Sequence, residues 1–215
     1  MKDTTDFLQT GLDTLNDIIP KKLHQQLQFI LEMDKLKHVM RRSPLLDQSR
    51  TENDAEHSWH VATLALVLAE YAAPDVDIGR VISMLLLHDV VEIDAGDTFL
   101  YEESAFADAK EEREQRAAER IYGILPMDTH QRLKALWLEY EKCTSKEAKF
   151  AMALDRLQPI LHNYFTGGGT WRSHDVTVQQ VLSRQHVIEE GSAELGRFTR
   201  QLIDDALKKG YLKEA

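Results

Sequence analysis

Residues Met84 to Thr98 read Met-Leu-Leu-Leu-His-Asp-Val-Val-Glu-Ile-Asp-Ala-Gly-Asp-Thr, an apolar run interrupted by one imidazole and four carboxylates. Ionisable side chains are rarely buried unless they are paired or bind a metal. Read as a helix, His88 and Glu92 stand one turn apart, and Asp89 shares a face with Glu92. Two other segments offer matching groups. Glu52-Asn53-Asp54-Ala55-Glu56-His57-Ser58-Trp59-His60 places His57 at the start of a core-forming helix, and Lys149 to Ile160 sets Asp155 in an apolar helical run. His57, His88, Asp89 and Asp155 together supply two imidazoles and two carboxylates. That mixed nitrogen and oxygen set suits a divalent metal with positions left open for water and substrate. Neighbouring ligands on one helix diverge by about 100°, so His88 and Asp89 both reach an ion lying over their face.

The elements that must position these groups read as amphipathic helices, with no convincing period-two strand. Leu23 to Met40 carries apolar residues at helical spacing through Leu27, Ile30, Leu31 and Leu36. A second helix starts after Asn53 or Asp54 and runs through His57 to Tyr71, ahead of Pro74. A third begins after Asp77 and stops near Ala95-Gly96. Ala105 to Tyr122 follows, rich in Glu, Arg and Ala. Asp128 caps the helix of Leu133, Leu136 and Trp137, and Thr144-Ser145-Lys146-Glu147 fits a capping box opening the helix of Asp155. Gly167-Gly168-Gly169 breaks the chain before two further helices around Val181 and Leu202. Without repeats, low-complexity tracts or linkers, the 215 residues are expected to form one all-α domain, with a core over about 25–165 and C-terminal helices 166–215 packed on it.

Bulk properties narrow the function. A formal net charge of −10 argues against a stable nucleic-acid complex, because phosphate backbones need clustered Lys and Arg. No apolar stretch approaches a membrane span, and Met1-Lys2-Asp3-Thr4-Thr5-Asp6 lacks a signal-peptide pattern. A single cysteine, Cys143, rules out an internal disulfide framework and a cysteine-based zinc site, which points to a reducing, cytoplasmic setting. A small anionic substrate then needs a local metal or arginine against the general repulsion.

The order His57, then His88-Asp89, then Asp155 resembles the HD-domain metal-dependent phosphohydrolases. The wider wording at Glu52 to Trp59 and at Leu86 to Thr98 is similar to the branch containing HD-type 5′-deoxynucleotidases. The likeness covers roughly residues 25–165 well and the C-terminal helices more loosely. It implies an all-helical HD bundle in which His57, His88, Asp89 and Asp155 bind the metal, with Glu92 and Asp97 acting beside it. Related deoxynucleotidases place an arginine and a closely following aromatic ahead of the first histidine. Here Arg41 matches the arginine, a forked and permanently charged donor for phosphate, but Arg42-Ser43-Pro44 supplies no aromatic. Two-metal HD proteins carry additional histidines between the His-Asp pair and the final aspartate. Only His130 lies there in this chain, which implies one divalent ion, with Mn, Co, Ni, Fe, Mg and Zn all compatible.

The expected reaction is hydrolysis of small phosphomonoesters, foremost (deoxy)nucleoside 5′-monophosphates, by a metal-activated water. Glu92 orients or deprotonates that water, Asp97 protonates the leaving alkoxide or holds the ribose, and these two roles are exchangeable. Another phosphorylated metabolite or a nucleoside triphosphate is the rival substrate, and a non-catalytic metal-dependent ligand-binding module is the rival class. Related proteins form dimers, so a homodimer is expected. Simpler readings stand beside several residues. His60 reads as a core histidine or one that supports a ligand, Arg42 as a helix C-terminal cation, and Gly167 to Gly169 as a flexible connection rather than an anion-binding turn. Glu111 to Arg120 reads as a solvated face, Asp94 has no assigned role, and His24, His162, His174 and His186 carry no functional reading.

Overall fold

Helix α1 (Lys21–Met33) starts after Pro20 and passes into a 3-10 turn over Asp34–His38. The computed structural model describes residues 11–15, 18–97 and 107–214. The stretch Met1 to Asp6, Thr98 and Ala105 lie outside them. After the 3-10 turn the chain extends rather than continuing as helix to Met40. Strands β1 (Met40–Pro44) and β2 (Thr51–Asn53) form an antiparallel hairpin, with Met40 opposite Asn53 and Pro44 opposite Thr51. Arg41 and Arg42 therefore sit on a strand and close no helix.

Asn53 ends β2 and caps α2 (Asp54–Val67). Its side chain accepts from the Glu56 amide at 3.0 Å, and the Glu56 carboxylate accepts from the Asn53 amide at 3.1 Å. Such a reciprocal cap is worth about 1 kcal/mol and fixes where the His57 helix begins.

Asp77 caps α3 (Ile78–Leu85), which stops ten residues short of the expected end near Ala95. His88–Val91 forms a separate 3-10 turn followed by the one-turn helix α4 (Glu92–Ala95). The cause is local. The Leu85 carbonyl accepts from the His88 Nδ1–H at 2.8 Å, replacing the amide that a continuing helix would direct to it. Asp94, without a role in the sequence, is an ion-pair partner of Arg120.

The remaining helices are α5 (Ala107–Tyr122), α6 (Met127–Lys142), α7 (Lys146–Phe165), α8 (Gly169–Ser173), α9 (Val178–Gly191) and α10 (Ala193–Lys208). Two caps differ from expectation. Pro126 holds the position ahead of α6, where its missing amide costs nothing, and Asp128 in the first turn pairs with Lys22 at 2.6 Å. Ser145 alone caps α7, while Glu147 accepts from the Asp77 amide at 3.1 Å and so ties α7 to the start of α3.

Helix α7 is the central element. Phe150, Leu154, Leu157 and Ile160 are buried on it against α2, α3, α9 and α10. Each such side chain contributes roughly 1.5–3 kcal/mol of burial. A second apolar cluster joins Phe29, Val90, Val91, Ile121, Tyr122 and Trp137, and it backs the turn that carries His88 and Asp89. The Gly167–Gly169 segment is a tight turn, not a flexible connection. Gly168 has φ 109°, its amide donates to the Asn163 carbonyl at 2.8 Å, and a Cβ there would meet the Arg172 side chain at 2.4 Å.

Candidate metal centre

Three elements bring the sequence-predicted ligands into one buried place: His57 on the first turns of α2, His88 and Asp89 on the 3-10 turn, and Asp155 midway along α7. His57 Nε2 lies 2.9 Å from Asp155 Oδ1 and 3.8 Å from Asp89 Oδ2. His88 Nε2 lies 3.1 Å from Asp89 Oδ1 and 3.5 Å from Asp155 Oδ1. The two imidazole rings are 5.4 Å apart between centroids. Pro159 lies inside α7 and lacks the amide that would bond to the Asp155 carbonyl one turn back.

The donor set fits a divalent ion, and one orphaned atom makes the case. His88 Nδ1 donates to the Leu85 carbonyl, which fixes the ring and directs Nε2 at the carboxylates, as expected of a metal-ligating imidazole. That Nε2 is buried and, although Asp89 Oδ1 lies 3.1 Å away, makes no well-directed hydrogen bond. One donor atom each from His57, His88 and Asp89 lies within 4.8 Å of the others, and a second such group comprises Asp54, Asp89 and Glu92.

The electrostatics show how strongly this place calls for positive charge. Burial alone would lower the His88 imidazole, yet Asp89 and Asp155 outweigh it and raise it to about 10. Burial, seconded by the Arg41 charge, lowers His57 to about 4, so this ring is neutral and its lone pair is available. Burial would raise Asp89 and Asp155. Instead His88 beside Asp89, and Arg156 and His57 beside Asp155, hold both below the ordinary carboxylate range. Burial together with Asp89 and Asp54 pushes Glu92 up to about 12.

Arg41 reaches the centre from β1. Its Nη1 donates to Asp89 Oδ2 at 2.9 Å and to Asp54 Oδ1 at 3.3 Å, and its Nε lies 3.5 Å from Glu52 Oε1. Glu92 is buried on α4 beside Asp54, and its Oε2 has no partner. Asp97 is half-buried, close enough for its charge to act on Arg41 and Asp89.

Sequence reasoning missed four groups here. Glu52 and Asp54 are buried acids, each raised to about 7 mainly by burial. The alternation of β2, with only its middle residue turned inward, is the signal that would have found Glu52. Tyr140 of α6 donates its hydroxyl to Asp155 Oδ2 at 2.9 Å, and no spacing in the chain announces it. His162 is buried on α7, its ring 5.4 Å from that of His60.

Comparison with known proteins places this geometry in a family. A model of the HD domain matches residues 33–196, and the chain belongs to the HD-domain family. Human 5′-deoxynucleotidase HDDC2 is 32% identical over 136 residues, 63% of this chain and 65% of that protein. The chain thus matches just under two thirds of the length of this relative. A crystal structure described as a predicted metal-dependent phosphohydrolase from Magnetospirillum magnetotacticum MS-1 is 53% identical, covers 90% of this chain and 99% of its own, and superposes with a TM-score of 0.85. The PH0347 protein of Pyrococcus horikoshii OT3, 21% identical with a TM-score of 0.60 over 85% of this chain and 99% of its own, shares the fold. Among the described residues, no helix is long and apolar enough to cross a membrane.

Proposed function

We propose that this chain is a metal-dependent phosphohydrolase acting on small phosphomonoesters, foremost (deoxy)nucleoside 5′-monophosphates. The observation that carries the reading is the buried His57, His88, Asp89 and Asp155 cluster with the Arg41 guanidinium set directly against it at Asp89. The human relative named as a 5′-deoxynucleotidase supports the substrate class. One divalent ion held by these four side chains would supply Lewis-acid polarisation of a phosphoryl oxygen and a more acidic water.

The protein's own groups do the rest. Arg41 presents a planar fork to the non-bridging phosphate oxygens, in exchange for its contacts to Asp54 and Asp89. Glu92 gives up, beside the ion's charge, the proton it holds in the metal-depleted protein, and then holds the attacking water and takes its proton as the new oxygen–phosphorus bond forms. Asp97, raised chiefly by burial, gives a proton to the ester oxygen as the phosphorus–oxygen bond breaks, releasing the alcohol and inorganic phosphate. Tyr140 fixes Asp155, and His88 is fixed by the Leu85 carbonyl. We also read the whole chain, 1–215, as one domain of a cytoplasmic homodimer.

The strand position after Arg41 is Arg42, whose Nη1 lies 3.4 Å from His174 Nε2, so the substrate-facing side differs from an arginine–aromatic pair. Phosphate release across deoxyribonucleotides, ribonucleotides, nucleoside triphosphates and sugar phosphates tests the substrate class. The fastest turnover is expected on deoxyribonucleoside 5′-monophosphates. Release from another metabolite with none from any nucleotide would overturn the nucleotidase reading, and ligand-induced stabilisation without any release would favour the binding module.

A further inference from the structure

We propose that Glu52, His60, Gln158 and His162 form a second divalent metal site, of the kind that takes a zinc-like first-row transition ion, next to the His57–Asp155 centre. Among the described residues, Glu52, His60 and His162 each offer one donor atom within 4.8 Å of the others. Glu52 and His162 are buried, and His60 is half-buried, which leaves an edge for an ion to enter.

The hydrogen bonding in this cluster is short of donors when Glu52 is ionised and His60 carries its proton on Nε2, the tautomer that frees Nδ1 for a metal. Gln158 Nε2 lies 3.0 Å from Glu52 Oε2, 3.3 Å from Glu52 Oε1, 3.0 Å from His162 Nε2 and 3.4 Å from His60 Nδ1. An amide nitrogen carries two hydrogens, so in that state four lone-pair atoms converge on two donors. His162 cannot relieve the excess from within the cluster. Its Nδ1 lies 3.1 Å from the Pro44 carbonyl, which only accepts, so the proton sits on Nδ1 and Nε2 faces inward as a bare lone pair. Meanwhile Gln158 Oε1 is buried with no partner at all. Rotating the amide end for end exchanges two groups of nearly identical shape and turns that oxygen toward the same three side chains. The result is two imidazole nitrogens, a carboxylate and an amide oxygen converging on one point. That set suits a small transition-metal ion of tetrahedral preference better than magnesium, which favours all-oxygen ligation.

Glu52 links the two centres. Its Oε1 lies 3.7 Å from His57 Nδ1 and 3.5 Å from Arg41 Nε, so an ion on Glu52 stands one side chain away from both. This position differs from the His57–His88–Asp89–Asp155 set and shares no ligand with it.

The test loads purified protein with cobalt(II), removes excess, and measures cobalt per chain by elemental analysis together with its visible absorption. Wild type is expected to hold two equivalents. His162→Gln and His60→Ala should each hold one, with the absorption band contributed by the Glu52–His60–Gln158–His162 site lost. Asp89→Ala should also hold one but keep that band. These losses separate failure of this site from failure of the catalytic centre. Gln158→Glu supplies a charged oxygen in place of the amide and is expected to bind the second cobalt at least tenfold tighter. One equivalent in wild type, or two retained in folded His162→Gln and His60→Ala, would overturn the proposal, as would unchanged or weaker second-site affinity in Gln158→Glu.

Discussion

The Tyr140 hydroxyl donates to Asp155 Oδ2 at 2.9 Å while the other oxygen of the same carboxylate faces His57 Nε2 at 2.9 Å. A carboxylate held at one oxygen presents the other in a fixed direction, and hydrogen-bonded supports of this kind tune metal ligands. Tyr140→Phe removes that hold with little change in volume. Metal affinity is expected to fall by about 10- to 100-fold, measured by competition with a chromophoric chelator, with activity restored at high metal concentration.

Glu92 is the acid assigned to the attacking water. Glu92→Gln keeps shape and burial but cannot accept the proton, so kcat should fall by about 10²- to 10⁴-fold while one equivalent of metal stays bound at the four-ligand centre. Steady-state kinetics with metal analysis of the same sample checks this. Full turnover in the loaded variant would remove Glu92 from its role.

Protonation of the centre makes a prediction about pH. In metal-depleted protein Glu92, pushed up to about 12 by burial and the nearby acids, and His88, raised to about 10 by Asp89 and Asp155 against burial, both hold protons at neutral pH. In the unfolded chain the same groups release them near their ordinary values of about 4.3 and 6.5. The folded state therefore binds more protons than the unfolded state between about pH 7 and pH 9, so stability falls as pH rises through that window. Thermal melting of the depleted protein should show a falling Tm from pH 7 to pH 9, shallower in Glu92→Gln. Metal must displace the His88 Nε2 proton, so titration calorimetry in buffers of different ionisation enthalpy should register proton release on loading. A Tm that rises across the window, or loading without proton release, would contradict this electrostatic picture.

The Gly168 turn gives a stability prediction independent of the metal. Its φ of 109° strains any side chain, and an added Cβ would push the Arg172 side chain aside. Gly168→Ala should cost about 1–3 kcal/mol, read as a lowered denaturation midpoint.

The four metal-binding candidates were legible because their types are improbable in an apolar setting and their order is informative, whatever the local backbone does. His88 and Asp89 sit on a 3-10 turn rather than a helix, yet their side chains still meet those of His57 and Asp155. Glu52 and Asp54 were not legible. Acids around an N-cap are ordinarily solvated partners of the helix dipole, and only the β1–β2 hairpin turns these two inward. The hairpin itself was hidden because its strands are three and five residues long and carry polar residues and a proline. Helix α7 was found through its period, but Tyr140 reaches Asp155 by helix packing, which a single sequence does not encode as spacing.

The central claim is that the His57–His88–Asp89–Asp155 centre hydrolyses a phosphomonoester when loaded with a divalent ion. The direct measurement is inorganic phosphate released from deoxyribonucleoside 5′-monophosphates by metal-depleted protein, before and after adding manganese, cobalt, nickel or magnesium, with Asp89→Ala in parallel. The account predicts no release without metal, release restored by at least one of these ions, and none from Asp89→Ala under any of them. Release that persists undiminished in folded Asp89→Ala, or a fully loaded wild type that releases no phosphate from any phosphomonoester, would contradict it.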